Sequence, residues 1–352
     1  METDKALQYV EESFLKSIIA DSAITDISFN GESIFFQHND FGRLKSDVLI
    51  NQMEARDFIR QISNLTEQQF SFQNPILDVT VGKYRINAVH QSIGRVNNRQ
   101  ALTFSIRIAS LEPKITDDSG FVSRELSSLF EVLIYSHCSM VIGGLTGTGK
   151  TEFQKYLLRK MNEKDRVVII DNVLELDQVR LNSDCDINSW QVDDRSPNSS
   201  IQTLVKNALR SNPDWLIVAE ARGPEMLDVF NSMLTGHPII TTIHAQNMES
   251  MPIRMTRMIM MADKRTDYDK IEDDLNEHLH FYIYLSKSEN PDGSIHRYIE
   301  EVGEMSRDGR FNIIYSAITG KYSPISREGQ RLLKLTGDEP KVFNRAFLNK
   351  NE

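Results

Sequence analysis

Gly144-Leu145-Thr146-Gly147-Thr148-Gly149-Lys150-Thr151 fits the pattern G-x-x-x-x-G-K-[ST] at every fixed position. Glycines in such a loop let the backbone wrap phosphate oxygens and aim its N–H groups at them. The helix that follows adds the positive end of its dipole. Gly144, Thr146, Gly147, Thr148 and Gly149 are therefore the candidate phosphate cradle. Lys150 is placed to reach the β- and γ-phosphates of ATP, and Thr151 to ligate Mg2+. The competing reading is a glycine turn beside a surface lysine. Context weakens it, because an apolar run at 139–142 precedes the loop and a helical pattern opens at Lys150.

Outward from the loop, short apolar runs alternate with helical patterns. Strands are expected at 166–171, 215–220 and 239–243, and helices at 200–211, 224–235 and 247–261. This alternation indicates an α/β domain with a mostly parallel sheet and helices on its faces. Ligands in such sheets sit at the carboxyl ends of strands. Two strand ends there offer carboxylates: Glu220, followed by Ala221-Arg222-Gly223, and Asp171, with Asn172 beside it and Glu175 four residues on. Either could orient or deprotonate water; solvated carboxylates after buried strands are the plainer alternative. His237 and His244 flank the apolar run 239–243, a suggestive pair that spacing alone does not decide. No Cys or carboxylate joins them at metal-ligand spacing.

The first ~110 residues have a different texture. Residues 3–20 carry Leu7, Val10, Phe14, Leu15 and Ile18 at helical spacing, predicting one amphipathic helix. Runs at 24–29 and 33–37 flank Asn30-Gly31, and runs at 76–81 and 84–89 flank Gly82-Lys83, predicting two hairpins. A helix at 52–64 and a strand at 101–108 complete a smaller α+β domain, 1–110. Residues 111–120 (LEPKITDDSG) read as a linker, and 121–352 as the second domain. The latter is expected to close with a hairpin, 279–285 and 295–302 around Asn290-Pro291-Asp292-Gly293, and a tail. Met251, Met255, Met258, Met260 and Met261 form a helix face that core packing explains better than a partner surface. The six carboxylates of 267–277 read as a solvated face.

Bulk properties exclude some functions. Net charge is −10 over 352 residues, with 40% hydrophobic and 26% charged residues. An acidic chain gives no general reason to hold nucleic acid, so no direct nucleic-acid binding is expected. Cys138 and Cys185 make no disulfide framework, which fits a reducing cytoplasm. No apolar run reaches the ~18–20 residues needed to span a bilayer, so any membrane association is expected through partners.

Taken together, the motifs resemble those of the secretion ATPases of type II and type IV secretion systems and type IV pili. GGLTGTGKT (143–151), IIDNVLEL (169–176), LRSNPDWLIVAEARG (209–223) and TGHPIITTIHA (235–245) are similar to the family's Walker A loop, Asp box, Walker B segment and His box. ITDISFNG (24–31), YRINAV (84–89) and LTFSIRI (102–108) resemble its first domain. The ARGPE wording after Glu220 looks closest to the conjugation and Tad-pilus branch. The resemblance implies a RecA-type P-loop ATPase domain, a homo-hexameric ring, and attachment to inner-membrane platform or secretion-channel proteins at the cytoplasmic face. By position, it implies that Glu220 polarises water, that Asp171 and Glu175 are the Asp-box acids, and that His244 senses the γ-phosphate. It further implies that Arg85 and Arg107 extend toward the phosphates; surface arginines facing water are the alternative.

The chain departs from that pattern in having Asp171 and Asn172 where Glu and Asp are usual, and Glu152 after the loop in place of a second Thr. A nucleotide-gated scaffold with weak hydrolysis and a DNA-translocating ATPase remain the alternatives to a secretion or pilus motor. The acidic balance, with no basic aromatic-bearing stretch, weighs against the translocase.

Overall fold

The structure, a computed structural model, describes residues 2–348 apart from Leu111, Glu112, Leu174, Ser183, Asp194, Arg195 and residues 264–266. Its chain divides into two compact units, residues 1–112 with 288–296, and residues 113–287 with 297–352. Two residues of the expected linker, Leu111 and Glu112, and Leu174 of the expected Asp box lie outside the described residues.

The first unit opens with α1 (Glu2–Glu11) and α2 (Lys16–Ile19), not the single helix the spacing predicts. The break falls at Ser13, whose hydroxyl donates to the Val10 carbonyl and accepts from the Leu15 amide. A local side-chain bond of this kind competes with helix continuation. Then come β1 (Ile24–Phe29), β2 (Ile34–His38), β3 (Gly42–Lys45), α3 (Gln52–Leu65), β4 (Ile76–Val81) and β5 (Tyr84–Val89). A small ribbon, β6 (Arg95–Val96) with β7 (Arg99–Gln100), precedes β8 (Thr103–Ile108). The six-stranded sheet runs β3-β2-β1-β8-β5-β4. Asn51 and Glu54 form a reciprocal capping box that starts α3, which buries Phe58, Ile59 and Ile62 against the sheet. Alternation along β5 and β8 puts Ile86, Phe104 and Ile106 into that core and Arg85 and Arg107 on the other face.

The second unit begins with α4 (Arg124–Tyr135), β9 (Met140–Gly144), α5 (Lys150–Leu158), β10 (Arg166–Asp171), β11 (Asp186–Gln191), α6 (Ile201–Ala208) and β12 (Trp215–Val218). It continues with α7 (Met226–Leu234), β13 (Ile239–Ile243), α8 (Ser250–Ala262), α9 (Tyr268–His278), and β14 (Phe281–Glu289) and β15 (Ile295–Met305), of which residues 288, 289, 295 and 296 count with the first unit. β16 (Phe311–Ser316), β17 (Lys321–Tyr322), α10 (Arg327–Leu332) and α11 (Lys341–Phe347) close it. The sheet order is β11-β10-β12-β13-β9-β14-β15-β16-β17. From β11 through β14 the pairings are parallel, whereas β15 pairs with β16 and β16 with β17 in antiparallel fashion. Side chains alternate between two cores. Ile142, Ile169 and Ile217 pack with Leu129 of α4 and Phe153 of α5. Val141, Val168 and Leu216 pack with Val229 of α7 and Met255 of α8. A sheet buried on both faces is why its strands read as unbroken apolar runs.

Met251, Met255 and Met258 lie in the second of these cores, as core packing required, while Met261 is exposed. The acidic segment 267–277 belongs to α9, which buries Ile271 and Leu275 and leaves most of its carboxylates outward. Residues 113–117 run along one face of α5. Glu152 accepts from the Lys114 amide at 3.2 Å, the Tyr156 hydroxyl donates to Asp117 at 2.6 Å, and Arg159 donates to the Ile115 carbonyl. Glu152, the departure noted after the loop, therefore has work of its own in this chain.

Candidate active site

The loop 144–149 joins β9 to α5, with β9 lying between β13 and β14 in the sheet. Gly149 stands at the N-cap of α5 with φ +96, a left-handed conformation that a side chain would strain. Its freedom lets the chain turn straight from loop into helix. Lys150, 8% exposed, folds back over the loop, and its Nζ donates to the carbonyls of Gly144 at 2.9 Å and Leu145 at 3.0 Å. The Thr148 hydroxyl also donates to the Leu145 carbonyl, at 2.9 Å. Thr151 sits in the first turn of α5, half-buried, and Thr146 and Gly147 are exposed.

Lys150 does not stand alone. Its Nζ lies 3.4 Å from Nδ1 of His244, which follows the carboxyl end of β13. An ammonium has donors only, so Nδ1 accepts, and the proton of the neutral ring sits on Nε2. That Nε2 lies 2.9 Å from Oε1 of Glu220, just past the end of β12. The pair is close but misaligned, and Glu220 Oε1 is buried without a hydrogen bond. Glu220 Oε2 is engaged by Arg222 at 2.6 Å. Two bonds fix this turn against β13: the Thr242 hydroxyl donates to the Ala219 carbonyl at 2.8 Å, and the Ala221 amide to the Thr242 carbonyl at 3.0 Å. Gln154, wholly buried in α5, donates to the Val218 carbonyl at 3.3 Å and ties the helix after the loop to the strand that carries Glu220.

Burial pushes the Lys150 ammonium down from 10.5 to about 8, with Glu220 pulling up and Arg222 pressing down. His244 is held below its ordinary 6.5 by burial and by the Lys150 charge, so its ring is neutral near pH 7. Burial raises Glu220, but the Arg222 bond and charge, with His244 and Lys150, outweigh it and hold the carboxyl below 4.5. The carboxylate is thus ionised near neutrality, held between the Arg222 guanidinium and the His244 ring. A weakly basic carboxylate of this kind orients and polarises water better than it strips a proton.

The other expected residues fall differently. Asp171 ends β10 and is 3% exposed; its Oδ1 accepts from the Val173 amide at 3.1 Å and its Oδ2 from the Leu176 amide at 3.2 Å. The carboxylate therefore holds its own loop. Glu175 is half-buried on that loop. Arg85 and Arg107 face each other across β5 and β8. Arg85 makes a two-bond pair with Asp78 at 3.1 and 2.9 Å, and Arg107 pairs with Asp26 at 3.2 Å. His237 precedes β13 and His244 follows it, so they stand at opposite ends of the sheet. His237 instead borders a cavity of about 280 Å³ with His137, Cys138, His278 and His280, at the amino ends of the strands and away from the loop. Lys287 and Arg297 touch the loop and carried no sequence signal.

Residues 93–279 match the family model described as type II/IV secretion system protein. An uncharacterized protein of Bacillus anthracis is 27% identical over 298 residues, 81% of this chain and 66% of that protein. The conjugal transfer protein TrbB of Rhizobium radiobacter is 24% identical over 255 residues, 70% of this chain and 75% of that protein. The chain spans less than two thirds of the length of several curated relatives, as with the Bacillus protein and with a Methanocaldococcus jannaschii protein of which it covers 44%. Among solved structures, the Legionella pneumophila ATPase DotB superposes with a TM-score of 0.64 at 20% identity, covering 84% of this chain and 81% of that one. The fold is shared: a RecA-like, mostly parallel sheet with a smaller antiparallel-sheet unit before it.

Proposed function

The chain belongs to the type II/IV secretion system protein family, and from that premise we propose that it is an ATP-hydrolysing motor for macromolecular secretion, conjugative transfer or pilus assembly. The observation that carries this reading is the convergence of Lys150, His244 and Glu220 within 3.4 and 2.9 Å, at the mouth of a glycine loop and at adjoining strand ends. A cation beside the cradle suits the β- and γ-phosphates. The ionised carboxylate of Glu220, beside His244 and Arg222 at the strand end, suits orienting the attacking water. His244, touching both, is placed to register whether a γ-phosphate is there. Thr151, in the first turn of α5, would hold Mg2+, which when bound neutralises charge on the transferring group.

The names of relatives, a conjugal transfer protein and an ATPase, support transport work driven by nucleotide. Assembly as a homo-hexamer and recruitment to membrane platform or secretion-channel proteins from the cytoplasmic side belong to the same proposal. No helix among the described residues is long and apolar enough to cross a membrane, so such recruitment would run through partners. The test is steady-state ATP turnover by the full chain, beside Lys150→Ala and Glu220→Gln. Turnover in the wild type that both variants lose supports a motor. Binding without turnover in the wild type leaves a nucleotide-gated scaffold, and wild-type-like turnover by folded Lys150→Ala removes the assignment of the loop.

A further inference from the structure

Four consecutive carbonyls of the glycine loop accept from cationic side chains. Lys150 takes those of Gly144 and Leu145. The next two are taken by cations from neighbouring strands. Lys287 of β14 donates to the Thr146 carbonyl at 3.1 Å, and Arg297 of β15, through Nε, to the Gly147 carbonyl at 2.8 Å. The approach is close on both sides of the loop. A Cβ at Gly147 would stand 3.3 Å from Lys287 Nζ, and one at Gly149 would stand 3.9 Å from Arg297 Cδ. The two cations reach the loop from 141 and 150 residues away in sequence, so neither bond is a by-product of local chain geometry.

We infer that Lys287 and Arg297 are positioning residues of the phosphate-binding loop, setting the direction in which its amides face a nucleotide. The reason is the planarity of the peptide group, in which the C=O of one residue and the N–H of the next point in opposite directions. Drawing the Thr146 carbonyl toward Lys287 turns the Gly147 N–H the other way, and drawing the Gly147 carbonyl toward Arg297 does the same for the Thr148 N–H. Successive N–H groups held facing one way make a concave site for anionic oxygen. Glycine-rich backbone would otherwise sample many orientations, and fixing the loop beforehand removes that ordering cost from binding. The two charges also add positive potential at the loop.

This inference rests on the reading of the loop as a nucleotide site and extends it to two residues outside the loop. Because these cations hold the loop and not the reacting atoms, their loss should weaken ATP and ADP alike and act on KM more than on kcat. Both bonds are exposed, so the effect of each is modest, about three- to tenfold.

The experiment titrates ATP and ADP separately into the full chain and into Lys287→Met, Arg297→Gln and Lys287→Arg, with Lys150→Ala as reference, and measures KM and kcat for each. Circular dichroism and the melting temperature without nucleotide identify any variant that misfolds. Should one neutral variant misfold, the other carries the comparison, since each removes the cation on one of two adjacent loop carbonyls. Expected are a parallel rise in Kd for ATP and ADP in the two neutral variants, a matching rise in KM, and near-recovery in Lys287→Arg. Folded neutral variants with wild-type Kd overturn the inference while the nucleotide site stands. A loss confined to kcat also overturns it, since that would place the cations at the reacting group. If the wild type binds neither nucleotide, the reading of the loop falls and this inference with it.

Discussion

Raising the pH is expected to weaken ATP binding through one group, Lys150. Burial holds its pKa at about 8 against an ordinary 10.5. The ammonium is then about nine-tenths protonated at pH 7 and about one-tenth at pH 9. If the contact with the β- and γ-phosphates requires the charged form, affinity falls in proportion, about tenfold or about 1.4 kcal/mol across that span. The sign for the fold itself is opposite. A lysine whose pKa is lowered by folding binds fewer protons folded than unfolded between pH 8 and 10.5. Its contribution to stability therefore improves as pH rises through that window, and its penalty is full below it. Weaker binding at pH 9 would thus not be incipient unfolding through this group. His244, held below its ordinary value, is already neutral throughout, and Cys138, pushed up to about 12 by burial, stays protonated. The assay is calorimetric titration with ATP at pH 7, 8 and 9, in two buffers of different ionisation enthalpy, which also counts protons taken up. Lys150→Met should bind weakly and show little pH dependence. A flat wild-type profile, or the same tenfold decline in Lys150→Met, would refute the reasoning.

Three further outcomes follow from the packing. Glu220→Gln should keep ATP affinity within a few-fold while turnover drops at least about tenfold, or about 1.4 kcal/mol of barrier; single-turnover kinetics decides, and a smaller drop would remove Glu220 from the chemistry. Asp171→Glu should destabilise by about 1–3 kcal/mol, because an added methylene at a position 3% exposed overpacks a carboxylate that already holds the Val173 and Leu176 amides. Denaturant unfolding tests this, and an unchanged midpoint would mean that the loop shifts freely. Gly329→Ala should also cost about 1–3 kcal/mol, since a Cβ there would run into buried Glu304. Glu304 holds Asn312 of β16 and the Ser326 amide ahead of α10, and a wild-type melting temperature in this variant would contradict that account.

Local chemistry made several features readable in sequence. The glycine loop is one, because Gly149 needs a conformation that other residues resist. The parallel strands are another, since burial on both faces leaves apolar runs such as those of β10 and β12. The hairpin of β4 and β5 showed through the alternation on either side of Gly82-Lys83. Signals failed where the cause was the direction of one side chain or the identity of a neighbouring strand. β11 is a polar edge strand paired on one side only, so no apolar run marked it. The break after α1 depends on where one serine hydroxyl points. His237 and His244 looked equivalent in sequence, and strand direction separated them: five strand residues carry the chain from one end of the sheet to the other. Asp171 looked like Glu220, an acid after an apolar strand, but the path of its own loop turned both its oxygens onto backbone amides. Strand order decided the rest. By placing β9 between β13 and β14, the sheet brings His244 to Lys150 across 94 residues, and Lys287 and Arg297 to the loop across 141 and 150. A residue pattern records what each segment needs of its own backbone and its own faces, whereas these meetings depend on which strands become neighbours, a choice made by the packing of the whole sheet.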